Sequence, residues 1–199
     1  MPTVFTKSYA APPVERREIL RYAGARDEDG ILAGTLDECL GIALPVLSYR
    51  VCFCELAIKS EGTVTDLGFA RVASASLAKN LGGCTHVLVL AATLGVELDR
   101  MIARYGAISP AKALLLNAIG AERIEALCDA FSADVAREYG ARGFVTRPRF
   151  SPGYGDLPLT LQRELLSLLD APKRIGVFLN ESLLMTPSKS VTALVGIGE

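Results

Sequence analysis

Residues 85–95 read THVLVLAATLG: two polar residues, an unbroken apolar run from Val87 to Ala92, and a closing glycine. A run this short, rich in Val and Leu and bounded by Gly82-Gly83 and Gly95, predicts a strand covered on both faces. With the helix predicted after it, the stretch has the outline of a nucleotide-binding strand-turn-helix. It lacks the glycine triplet that lets a backbone approach a pyrophosphate, so that fold is not indicated. Upstream, Tyr49–Ile58 and Thr63–Phe69 are β-branched or alternating and flank Ser60-Glu61-Gly62, which predicts an antiparallel pair. Downstream, residues 174–180 (RIGVFLN) and 191–198 (VTALVGIG) read as strands around a TPSKS turn. Irregular alternation with several antiparallel connections points to the α+β class rather than a doubly wound sheet.

Helices fill the remainder. Behind an irregular arm closed by Pro12-Pro13, residues 15–24 (ERREILRYAG) predict a short helix stopped by glycine, and the acidic GARDEDG stretch then breaks the pattern. Leu36, Cys39, Leu40 and Ala43 recur at helical steps up to Pro45. Ser74 or Ser76 is placed to cap a short helix running to Asn80, with Gly82-Gly83 ending it. Another helix is expected from Val96 to Tyr105. Ser109-Pro110 then opens the longest periodic segment, through Ala113, Leu116, Gly120, Ile124, Leu127, Phe131, Val135 and Tyr139 to Gly140. Gly120 inside it suggests close approach by another backbone. The Pro- and Gly-rich stretch 147–158 (RPRFSPGYGDLP) predicts a shaped loop, with Asp156 capping the helix that carries Leu157, Leu161, Leu165, Leu168 and Leu169.

Composition narrows the function. The chain has 199 residues, half of them hydrophobic and 22% charged, which suits one folded domain with an extension. Lys plus Arg total 21 against 22 for Asp plus Glu, so the broad basic footprint of a nucleic-acid binder is absent and no nucleic-acid partner is expected. No apolar run approaches the about 18 residues of a membrane span, and the start has no secretory pattern. A cytoplasmic location without membrane attachment is therefore expected. Five cysteines, Cys39, Cys52, Cys54, Cys84 and Cys128, lack metal-site spacing and read as buried thiols, with Cys52 and Cys54 on one face of a strand.

Familiar catalytic signatures are missing. There is no phosphate loop, no G-x-S-x-G elbow and no H-E-x-x-H, and the single histidine, His86, sits at the entry to an apolar strand. The basic cluster Arg137, Arg142, Arg147 and Arg149 faces one carboxylate, Glu138, within thirteen residues. A helix dipole accounts for Arg137 but not for Arg149. Arg149 precedes a stiff Phe-Ser-Pro-Gly-Tyr bend, and two readings stay open: a fork for a ligand carboxylate beside a ring that packs on a flat ligand, or an arginine that ties the loop.

Arg149-Phe-Ser-Pro-Gly-Tyr154 resembles the R-x-x-P-G-Y loop of the reactivation domain of cobalamin-dependent methionine synthase. The segment from Gly176 through Glu181-Ser182 to Met185-Thr-Pro187, followed by Ser190-Val-Thr-Ala, is similar to that domain's G-x-x-L-T-E-S-x-x-M-x-P…S-V-S-G tract, with Asn180 in place of the threonine. The resemblance covers residues 110–198. It implies a single domain over residues 1–199 with a curved, mainly antiparallel sheet and packed helices, residues 1–60 forming a helical extension. The first hundred residues look more like small stand-alone relatives than like the fused domain.

Carried over residue by residue, the resemblance implies that Arg149 pairs with the carboxylate of S-adenosylmethionine. Ser151 and Gly153 add main-chain contacts, Tyr154 stands at the cobalamin face as the catalytic residue, and Glu181 and Ser182 match the E-S pair. Val195 and Gly196 contribute backbone only. The sulfonium needs aromatic or carboxylate company, for which Tyr154 and Glu181 are candidates. The family's N-terminal acidic ligand residue has no aligned counterpart. No D-x-H-x-x-G motif is present, so cobalamin is expected on a partner: a corrinoid-binding methionine synthase lacking its own reactivation domain. The resemblance also implies a flavodoxin-like or other low-potential donor that supplies the electron. The implied role is an accessory subunit for reductive reactivation. The alternative is a scaffold module that binds a corrinoid methyltransferase without using S-adenosylmethionine. A self-sufficient methyltransferase is disfavoured by the missing glycine-rich loop.

Overall fold

The computed structural model describes residues 2–25 and 30–199, and the acidic break at residues 26–29 lies outside them. In chain order the elements are β1 (Phe5–Ser8), α1 (Arg16–Ala23), α2 (Gly30–Ala43), β2 (Arg50–Ala57), β3 (Lys59–Glu61), β4 (Val64–Asp66), β5 (Arg71–Ala73), α3 (Ala75–Asn80) and β6 (Cys84–Thr93). They continue with α4 (Glu97–Ile108), α5 (Pro110–Gly140), β7 (Val145–Thr146), α6 (Gln162–Leu168), α7 (Ala171–Ile175), β8 (Phe178–Leu179), β9 (Met185–Thr186) and β10 (Ser190–Gly198).

A curved antiparallel sheet in the order β1-β2-β6-β10-β7 forms the centre, as the α+β reading predicts. Its middle strand is the 85–95 run, and alternation explains why every position from Val87 onward is apolar or small. Leu88, Leu90 and Ala92 enter one core with α1, α2 and α5, whereas Val87, Val89 and Ala91 enter a second core with Leu77, Leu81 and the leucines of the 157–169 segment. Helices on both faces cover this strand from Val87 to Thr93, where every position is buried. Each fully buried Leu or Val stabilises by about 1.5–3 kcal/mol relative to exposure, so the central strand is the principal anchor.

Three expectations change. Residues 1–60 carry α1 and α2, but they also supply β1 and β2, two of the five central strands. β2 pairs with β1 and β6, while the residues after Thr63 pair with β3 and β5 in a separate small sheet. The reason is length: eight residues of β2 match β6 along its buried face, and burial outweighs the nearer turn. Of RIGVFLN, Arg174 and Ile175 belong to α7, and only Phe178–Leu179 form a strand, paired with β9.

Helix α5 carries thirteen buried positions over 31 residues and packs on the face of the sheet that buries Leu88, Leu90 and Ala92. At Gly120 the close neighbours are side chains rather than backbone: an added Cβ would lie 2.6 Å from Leu98 Cδ2 and 2.8 Å from Lys189 Cε. Cys52 and Cys54 share the second core as alternation predicts, and burial pushes their thiols up to about 12 and about 11. They are neutral at physiological pH. No described helix is long and apolar enough to cross a membrane.

Candidate functional site

Residues 145–150 run antiparallel beside β10: Thr146 pairs with Ile197, the Arg147 amide donates to the Gly196 carbonyl at 2.8 Å, and Phe150 exchanges two 2.9 Å bonds with Leu194. The chain then leaves the sheet. Pro152 is buried, and Gly153 and Gly155 take φ values of +88° and +56°, which L side chains resist. The Tyr154 amide donates to the Ser151 carbonyl and the Leu157 amide to the Tyr154 carbonyl, both at 3.0 Å, and Leu157 re-enters the core. The bend is thus fixed by Pro, Gly and a buried leucine.

Arg149 reaches α5. Its Nη2 donates to Glu125 Oε2 at 3.0 Å and to Asp129 Oδ1 at 2.8 Å, while its Nη1 is buried with no hydrogen-bond partner. The side chain is 21% exposed. A guanidinium has five donors, so the unused nitrogen is an unfilled position for an acceptor. Glu125, Arg149, Ser151, Tyr154 and Val191 line a cleft of ≈ 200 Å³. Beyond Arg149, Asp129, Arg147, Pro148 and Val195 border a wider depression of ≈ 550 Å³. Tyr154 is 71% exposed, its ring edge-on to Phe150 at 6.3 Å between centroids. Guanidinium, main chain of the bend and phenol therefore meet at one cleft beside the final strand.

The family model for the activation domain of vitamin B12-dependent methionine synthase matches residues 77–198, more than half of the chain. The chain belongs to this family. A crystal structure described as the MetH reactivation domain bound to AdoHcy has the same fold, with a TM-score of 0.68 at 16% identity, covering 98% of this chain and 78% of that one. No curated protein matches. The family match begins at residue 77 rather than at 110, so it takes in the end of α3 and the central strand.

Within this activation domain the other three arginines of the 137–149 cluster are engaged. Arg137 pairs with Asp134 at 2.6 Å, Arg142 stacks over Tyr139 and Phe144, and Arg147 donates to the Gly82 carbonyl at 2.9 Å. Glu125 and Asp129 are the functional candidates that sequence reasoning missed. The signal available was their i, i+4 spacing on the polar face of α5, joined at i−3 by Glu122. His86 bonds Thr85 through Nδ1 at 3.0 Å, and no described cluster has metal-ligand composition.

Glu181 and Ser182 lie on the β8–β9 turn, where the Glu181 carbonyl accepts from Arg163 at 3.3 Å. Neither lines the clefts around Arg149. Arg163, Asp170 and Phe178 border a separate groove of ≈ 430 Å³, which contains neither Arg149 nor Tyr154. Val195 borders the wider depression. Gly196 sits where an added Cβ would lie 2.7 Å from both Cys84 Sγ and Leu81 Cδ2, so that position admits main chain only.

Asp156 does not cap the helix that follows it. Its carboxylate instead accepts from the Ser74 hydroxyl at 2.5 Å and from the Ala75 and Ser76 amides at 2.7 and 3.1 Å, at the start of α3. The Ser74 hydroxyl first, then the two amides, holds its carboxyl well below the usual carboxylate range. Because the folded-state value is lowered, the contribution is complete above the unfolded value of 3.8 and is lost only as pH falls through the lower folded one.

Proposed function

We propose that this activation domain binds S-adenosylmethionine in the Arg149–Tyr154 cleft and presents it to cobalamin carried by a partner methionine synthase. The observation that carries the reading is Arg149, whose Nη1 is buried without a hydrogen-bond partner and whose side chain lines one cleft with Ser151, Tyr154 and Glu125. The donor set suits the ligand's charges. Arg149 Nη1 takes the carboxylate as a charge-assisted bond, and Glu125, held by the other guanidinium nitrogen, accepts from the α-ammonium. Ser151 lines the cleft and Gly153 follows two residues on in the same bend, where both offer main-chain groups, and Gly196 keeps β10 free of a side chain at its position. Tyr154 offers a ring face for the sulfonium.

When bound, S-adenosylmethionine supplies an electrophilic methyl group, accepted by the partner's cobalamin once a flavodoxin-like or other low-potential donor has supplied one electron. The chain's own contribution is positioning: it fixes the methyl donor in line and, with the partner covering the exposed Tyr154, excludes water. That agrees with a site without an acid–base dyad. Neutral buried thiols and a low-potential donor both suit the cytoplasm. Glu181 and Ser182, on their separate turn, suit contact with the partner better than contact with the methyl donor.

One feature favours the scaffold alternative: Arg149 already has two carboxylate partners without any ligand. Isothermal titration separates the two. Micromolar binding of S-adenosylmethionine to the chain or to its complex supports the proposal, and millimolar or absent binding to both supports the scaffold. Tyr154→Phe should leave that affinity within about twofold, because the reading gives the ligand's charged groups to Arg149 and Glu125, while slowing methylation of the partner's cobalamin under reducing conditions. An unchanged rate, followed by the cobalamin absorbance, removes the hydroxyl from the mechanism.

A further inference from the structure

The loop that carries Arg149 and Tyr154 is gripped from behind at both ends by one short helix. At its start, Arg147 Nη2 donates to the Gly82 carbonyl at 2.9 Å and Asn80 Nδ2 donates to the Pro148 carbonyl at 3.2 Å, both just at the end of α3. At its finish, Asp156 takes three bonds from Ser74, Ala75 and Ser76 at the beginning of α3. Gly155 presses on the same place: an added Cβ would stand 2.7 Å from Ser76 Oγ and 3.0 Å from Ser76 Cβ. The helix is itself immobilised, since Leu77 and Leu81 are buried in the second core and the Ser74 amide donates to the Thr63 carbonyl at 2.8 Å.

A segment fixed at both ends on a rigid support has fewer conformations to lose when a ligand arrives, and so binds with less ordering cost. The residues between the grips are the ones that face the cleft. We propose that Asp156 is a positioning residue: through the first turn of α3 it fixes the closing end of the 147–156 loop and sets where Tyr154 stands relative to Arg149. Its importance for the ligand rests on the function proposed above; its hold on the loop does not.

The chain contains no tryptophan, so Tyr154→Trp supplies a single fluorescent reporter on the loop. In that background, Asp156→Ala and, independently of charge, Gly155→Ala should lower the steady-state anisotropy of the reporter at temperatures well below unfolding. In the chain that retains Tyr154, Asp156→Ala should weaken S-adenosylmethionine binding about tenfold. Asp156→Asn keeps the shape and one acceptor, should give the same signs at smaller size, and serves if the alanine variant fails to fold. Unchanged anisotropy with a lowered unfolding midpoint would reduce Asp156 to a helix cap and overturn the proposal, as would looser anisotropy with unaltered affinity. If the unmutated chain does not bind S-adenosylmethionine, the functional reading fails and the anisotropy alone decides whether Asp156 holds the loop.

Discussion

Arg149→Ala should weaken S-adenosylmethionine binding by about 1.5–3 kcal/mol, the range for a hydrogen bond to a charged group. Titration calorimetry measures it directly. The unfolding midpoint should stay close to that of the unmutated chain, because the two acids that lose their partner, Glu125 and Asp129, are substantially solvated, and exposed pairs of this kind contribute about 0–1 kcal/mol. A loop-tying arginine predicts the reverse pattern: a drop in stability with no specific loss of ligand. The double variant Arg149→Ala with Glu125→Gln adds a second discriminator. If Glu125 receives the ammonium, its removal weakens binding further; if it serves only to neutralise Arg149, its removal changes little once the arginine is gone.

The largest effect on stability is expected at Arg123, which lies one helical face away. Arg123 is 0% exposed and Glu122 4%. The guanidinium pairs with Glu122 and donates to the Pro12 and Pro13 carbonyls at 2.6 and 2.5 Å, while Glu122 Oε1 accepts from the Glu15 amide at 3.1 Å. This network fastens the N-terminal arm and α1 to α5. Arg123→Ala leaves a buried carboxylate without its cation and two carbonyls without donors, and should cost about 3–5 kcal/mol. Against a total of about 5–15 kcal/mol for a typical domain, that is a large fraction. Removing both charges at once, Arg123→Met with Glu122→Gln, should cost less than the single change, because no uncompensated ion remains. Chemical denaturation of the two variants tests the order. A single variant within 1 kcal/mol of the unmutated chain would show that the network adds nothing to the fold. Pro13, Glu15 and Glu122 also border a cleft with Glu125 and Asp129, so loosening the arm reaches the carboxylates that hold Arg149.

Much of the candidate cleft was legible because the bend that lines it is one unbroken segment. The bend from Arg149 to Tyr154 combines proline, two positive-φ glycines at 153 and 155, and a leucine that must return to the core; residues this constrained leave a readable pattern. Glu125 and Asp129 were not legible as partners of Arg149. On a helix, an exposed acid at i, i+4 spacing looks the same whether it faces water or a guanidinium folded against it from 20 positions later. Asp156 was misread for a related reason. An aspartate before a helix is a good cap for that helix, yet the free amides of α3, more than 70 residues earlier, are brought closer in space.

The same division holds for the whole molecule. Local preference and periodicity, which act over a few residues, determined the doubly covered strand, the capped α3, the 31-residue α5 and the shape of the loop. Only the tertiary structure decided that β1 and β2 join the central sheet, that β3 takes the hairpin partner expected for β2, and which acids and amides meet the loop. Pairing between distant segments is chosen by the burial it completes on both faces of the central strand. That selection depends on every element at once and leaves no local mark in any one of them.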